Sequence, residues 1–201
     1  MNKVLLVEGN DDLHVISALC KKFKLPQNFV VIDCKGIDNL IEQIPVRLKT
    51  DIETIGIIID TDLNINNRWD TLKTIFRSKN FEVVDNLPVE GLIMDNLQSI
   101  KIGVWIMPNN KTNGMLEDFI SFLIPEGDDL LPKVDLSLEN IENENLNRYS
   151  VIHRSKARIN TWLAWQEVPG TPMGLSITRR YLTTDESNCV LFIDWLKTLF
   201  L

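Results

Sequence analysis

Short apolar runs alternate with amphipathic segments through the first half of the chain. "KVLLV" (Lys3 to Val7), "NFVVIDC" (Asn28 to Cys34), "TIGIIID" (Thr54 to Asp60) and "KIGVWIMP" (Lys101 to Pro108) are rich in β-branched residues. They are apolar at successive positions, as strands buried on both faces of a covered parallel sheet must be. Between them the apolar period is helical. Leu13, Ile16, Leu19, Cys20 and Phe23 recur on one face after Asp11, and Ile37, Leu40, Ile41, Ile44 and Leu48 do the same, with Pro45 expected to kink or shorten that helix. Trp69, Leu72, Ile75 and Phe76 mark a third helix, and Met115, Leu116, Phe119, Ile120 and Leu123 a fourth. Strand alternating with helix implies right-handed βαβ crossovers and an α/β, mostly parallel, doubly wound (Rossmann-like) sheet flanked by helices.

Residues 125–150 break this rhythm with "PEGDDLLP" and "SLENIENENLN", an acidic, Asn-rich passage expected to be a surface loop. Helices are expected around "KARINTWLAWQ", "MGLSITRRYL" and "CVLFIDWLKTLF", with no clear strand among them. The expected division is an α/β core over 1–124 and, over 125–201, the acidic loop and a helical extension packed on the same core. At 201 residues and 44% hydrophobic content the chain suffices for one well-buried core, so a single domain is expected.

Composition narrows the setting. No apolar run reaches the roughly 18 to 20 residues of a membrane-spanning helix, and the start lacks the layout of a secretory signal, so a cytoplasmic protein without a membrane partner is expected. Cys20, Cys34 and Cys189 are scattered, without the close pairs of metal knuckles or redox motifs, and are read as reduced thiols. A formal charge of -7 disfavours broad, non-specific nucleic-acid binding, which Lys and Arg supply by neutralising phosphates. It leaves room for a local basic groove or for a metal bridging acid to phosphate.

The acids fall at informative places. Side chains at the carboxyl ends of parallel strands project into the crevice where open α/β sheets bind ligands. Glu8 follows the first strand there, and Asp60 ends "TIGIIID" with Asp62 two residues on. An extended backbone turns Asp60 and Asp62 to the same side. With Glu8 from a neighbouring strand they make a set suited to one or two hard divalent cations, magnesium or manganese, which stabilise the charge that builds during phosphoryl displacement. Helix capping is the competing explanation for acids at strand ends and helix starts. It applies with particular force to Asp11 and Asp12, although Asp11 also stands as a direct or indirect metal ligand. Glu117 and Asp118, opening the helix after "KIGVWIMPNN", approach the same sheet edge.

"VEGNDD" closing a first strand and "IIIDTD" closing a later one resemble the Toprim domain of topoisomerases, bacterial primases, small maturation and recombination factors, and the overcoming-lysogenization-defect (OLD) nucleases. "WIMPNNKTNGMLEDF" and "KARINTWLAWQEVPGTPMGLSI" are similar to a branch of small Toprim-like proteins, the domain-of-unknown-function 3226 family. Together the matches reach nearly end to end. The Toprim resemblance implies general acid or base work for Glu8 and magnesium ligation by Asp60 and Asp62. Nuclease-type relatives often place another metal ligand near Glu117 and Asp118, and a late lysine there, matched by Lys156, stabilises the transition-state phosphate. One departure is Asn64, which stands where topoisomerase-type Toprim domains often carry a third alternating carboxylate. It weakens the topoisomerase analogy and leaves nuclease-like and primase-like sites.

A polyanion also needs cations to position it. Arg154, Lys156 and Arg158 in "HRSKARIN" and Lys111 in "PNNKTNG" are the candidates for phosphate contact, against the plainer reading of a solvated helix face. Trp162 and Trp165, three apart, are read as core packing before base stacking, and His14 as structural. With His153 the only other histidine, a histidine-based zinc site has little material. The opening "VLLVEGNDDL" and "WIMPNNKTNGM" also look like a response-regulator receiver, but the phosphoacceptor position three residues before Met107 is Val104. The expected function is Mg/Mn-dependent phosphodiester chemistry, a nuclease acting on DNA or RNA, alone, as a homo-oligomer or with a partner protein. The alternative is a non-catalytic module that binds nucleic acid, nucleotide or protein, since fold does not fix function.

Overall fold

Two glycines facing each other across adjacent strands decide how the centre of the protein is built. The computed structural model describes residues 2–61, 63–96 and 100–201. Its strands are β1 (Lys3–Val7), β2 (Val30–Asp33), β3 (Thr54–Asp60), β4 (Leu92–Asp95) and β5 (Lys101–Met107), in the spatial order β2-β1-β3-β5-β4. β1, β2, β3 and β5 are mutually parallel, and β4 runs antiparallel to β5 at the edge. Gly56 and Gly103 pair across β3 and β5. A Cβ on Gly56 would sit 2.5 Å from Leu5 Cδ1, and one on Gly103 would run into Leu199. Their bare backbone is the shallow bed into which the last helix presses Trp195, Leu199 and Phe200.

The helices are α1 (Asn10–Lys22), α2 (Ile37–Arg47), α3 (Ile65–Arg77), α4 (Leu116–Phe122), α5 (Leu131–Asn143), α6 (Arg154–Ala164), α7 (Met173–Thr178) and α8 (Ser187–Phe200). One sheet face sends Leu6, Ile57, Ile59, Val104 and Ile106 against Leu40, Ile44, Trp69, Leu72 and Phe76 of α2 and α3. The other sends Leu5, Val7, Ile58, Trp105 and Met107 against α1 and the helices from α4 to α8. The fold is therefore α/β and Rossmann-like, with both faces of a mostly parallel sheet covered, which accounts for strands without a polar side. No helix among the described residues is long and apolar enough to cross a membrane.

Two elements depart from the sequence expectation. The passage expected to be an acidic loop contains α5, because Val134 and Leu138, one turn apart, are buried while the Asn and Glu residues face water. Pro132 suits its first turn, where a missing N–H costs nothing. β4 also went unforeseen; four residues, "LIMD", are too short to show a period. Pro45 lies in the last turn of α2, which ends two residues later at Arg47.

Candidate functional site

Chain order places the crevice. From β1 the chain crosses to β2 on one side, and it then returns to β3 on the other, so the crevice opens past the carboxyl ends of β1 and β3. Glu8 and Asp60 stand at those two ends. They line one cavity of about 620 Å³ together with Asp11, Asp12, Glu117 and Lys156.

Each acid is held by a backbone group of a different element. The Asp60 N–H donates to Glu8 Oε1 at 2.7 Å, and the Leu116 N–H at the start of α4 donates to Asp60 Oδ1 at 3.0 Å. Arg68 of α3 donates through Nε to the Asp60 carbonyl at 3.1 Å. Thr61 then locks the segment after β3 to the one before α4: its Oγ1 donates to Gly114 O at 2.8 Å and accepts from Gly114 N at 2.5 Å. Gly114 has φ +152°, and a Cβ there would lie 2.6 Å from Asp118 Oδ2, so the close approach requires glycine.

Two helices begin at the cavity in the same way. Asp12, in the first turn of α1, accepts from Gly9 N at 3.1 Å, and Asp118, in the first turn of α4, accepts from Met115 N at 2.8 Å. Asp118 also receives Ser155 Oγ of α6 at 2.5 Å, so it fastens α4 to α6 and does not line the cavity. Glu117, buried, lies 3.6 Å from Lys156 Nζ, whose side chain is about half exposed. Asp11 is exposed at the cavity wall.

The electrostatics register crowded negative charge. Burial, and then the neighbouring charge of Glu8, push the Asp12 carboxyl up to about 7. Burial likewise raises Glu117; Lys156 opposes the shift and Asp11 adds to it. The cavity's hard oxygen donors are of the type that magnesium or manganese takes. Among the described residues, no three His, Cys, Asp or Glu side chains form a ready metal group, and Asp62 lies outside the described residues. The residues present fit a divalent cation by donor chemistry and charge.

Of the four basic candidates, Lys156 alone lines this cavity. Arg154 bonds Glu142 at 2.9 Å, and Arg158 forks onto both oxygens of Asp135 at 2.5 and 2.8 Å, so both reach α5. Lys111 lines a separate groove with Asp70, Lys73 and Asp85. Asn64 caps α3 by accepting from Asn67 N at 3.0 Å. Trp162 is buried with Nε1 donating to Asp128, while Trp165 is exposed. The cavity also takes in Asp33 and Lys35, which the sequence reading passed over, and His153, which it weighed only as material for a zinc site. Asp33 carried a signal, since it closes β2 much as Asp60 closes β3. His153 carried none, being a lone histidine far along the chain.

A family profile described as "Protein of unknown function (DUF3226)" matches residues 2–201. The chain belongs to the DUF3226 family. The DUF3226 match covers the acidic strand tips and the helices from α5 to α8 alike. Comparison with curated proteins and with solved structures returns no match.

Proposed function

We propose that this DUF3226 protein is a Toprim-type nuclease that hydrolyses phosphodiester bonds of DNA or RNA with magnesium or manganese. The observation that carries the reading is the meeting of Glu8 and Asp60 at the switch point of the sheet, in one cavity with a partly exposed lysine. Asp60 and Glu8 would hold the metal, with Glu117 and Asp11 on the same cavity wall, and Asp62, two residues beyond Asp60 in the sequence, as further oxygen donors. When bound, the cation stabilises charge on the phosphate and makes its bound water more acidic. Glu8 takes a proton from the attacking water. Lys156 leaves Glu117 to meet a phosphate oxygen, a short swing for a side chain half in solvent.

The test is cleavage of plasmid, linear DNA and structured RNA by wild type and by Glu8→Gln, Asp60→Asn and Asp62→Asn, with manganese and with chelator. Activity confined to wild type and abolished by chelator supports the reading. Equal cleavage by all four proteins signals contamination and removes it. A second reading has its own observation: Glu8 and Asp60 each already accept a backbone N–H, as purely structural acids do. A wild type that binds nucleic acid and never cleaves it assigns the cavity to a binding module.

A further inference from the structure

We propose that His153 is the general acid of this cleavage, protonating the oxygen that leaves phosphorus. The inference rests on the nuclease reading and goes beyond it. His153 closes a 3-10 turn (Val151–His153) immediately before α6, and it lines the cavity that holds Glu8 and Asp60. The chain's other histidine, His14, is exposed on α1 and does not line that cavity.

The other proton carriers on the cavity wall are carboxylates and two lysines. Each lysine has a carboxylate beside it, Lys156 with Glu117 and Lys35 with Asp33. Among the described residues no carboxylate forms an ion pair with His153, whose Nδ1 lies 3.2 Å from Ser150 Oγ. In the imidazolium form Nδ1–H donates to Ser150, which fixes the ring and leaves Nε2–H for the substrate. Histidine is also the side chain most often used to pass a proton in a transition state.

The step balances. The water oxygen forms a bond to phosphorus as Glu8 takes one of the water protons. The bond from phosphorus to the leaving oxygen breaks, its electron pair stays on that oxygen, and the oxygen takes the Nε2 proton. His153 ends neutral and regains its proton from solvent, to which it is exposed.

The experiment uses an oligonucleotide carrying one linkage that wild type cuts, in two versions: the natural diester, and one with sulfur in place of the bridging oxygen that wild type expels. A thiolate leaves without protonation. His153→Asn is expected to lose about a hundredfold or more on the natural linkage and to cut the sulfur linkage within about threefold of wild type. Ser150→Ala should lose less, in the same linkage-dependent sense. Equal losses on both linkages, or none on either, overturn the assignment while leaving the nuclease reading in place. A wild type that cuts neither linkage removes both, and an unchanged melting temperature for His153→Asn excludes misfolding as the cause of any loss.

Discussion

The backbone N–H of Asp60 donates to the side chain of Glu8 at 2.7 Å, joining the tips of two parallel strands whose sequence positions are 52 residues apart. One Glu8 oxygen thus has a structural task, beside the catalytic one proposed for the carboxylate. The two tasks separate by mutation.

Glu8→Gln keeps an acceptor for the Asp60 N–H and removes the charge. It should unfold within a few tenths of a kcal/mol of wild type and lose metal-dependent cleavage by roughly a hundredfold or more. Glu8→Ala leaves that part-buried N–H without its partner and should cost about 1–3 kcal/mol in addition. Denaturant melts beside cleavage rates check both. A Glu8→Gln protein that cleaves normally would confine Glu8 to its structural role.

Asp12 gives the fold a pH dependence. Its carboxyl titrates at about 7 when folded, against 3.8 ordinarily, so between those values the folded state holds a proton that the unfolded state has released. The contribution of Asp12 to stability is fully present below 3.8 and is lost as pH rises through about 7, with a slope of at most ~1.4 kcal/mol per pH unit. Glu117 is raised and contributes in the same direction. In chelator, Asp12→Asn, which still accepts from Gly9 N, should flatten this slope and be more stable than wild type at pH 8. Thermal melts from pH 4 to 8 decide it; a parallel pair of curves would clear Asp12 of the effect.

Gly114→Ala forces a side chain into the left-hand half of backbone space and against Asp118 Oδ2. A loss of about 1–3 kcal/mol is expected. Because Thr61 grips Gly114 through three hydrogen bonds, the segment carrying Asp60 should loosen with it. Amide exchange should then speed up at Thr61 and Leu116. Exchange unchanged at both would mean that the clamp and the acids are independent.

What the sequence revealed follows from how far each signal spreads. β1, β3 and β5 announced themselves because burial on both faces leaves unbroken apolar runs, and the strand ends then placed Glu8 and Asp60 without further help. α5 was hidden because only Val134 and Leu138 bury their side chains within a passage dominated by Asn and Glu. Proximity created by tertiary packing was not legible at all. Nothing in "HRSKARIN" separates Lys156, which faces the cavity, from Arg154 and Arg158, which face α5; the sorting depends on where α5 lies, and α5 itself was missed.

That sorting makes the last prediction. Lys156 is the cavity's counter-charge to buried Glu117, and Arg158 is bound to Asp135, whose carboxyl it holds below the ordinary range chiefly by hydrogen bonding. Lys156→Ala should lower kcat/KM for nucleic acid about tenfold or more, and Glu117, losing the cation that opposes its upward shift, should take up protons at still higher pH. Lys156→Arg keeps the charge and should recover part of the loss, a rescue that a merely structural lysine would not show in kcat. Arg158→Ala should be felt in the melt instead, at about 1 kcal/mol for a part-exposed pair. Cleavage kinetics and melts of the three variants separate the roles. An Arg158→Ala protein that melts like wild type and loses kcat/KM as Lys156→Ala does would restore Arg158 to the phosphate contacts and extend the substrate's path across α6 toward α5.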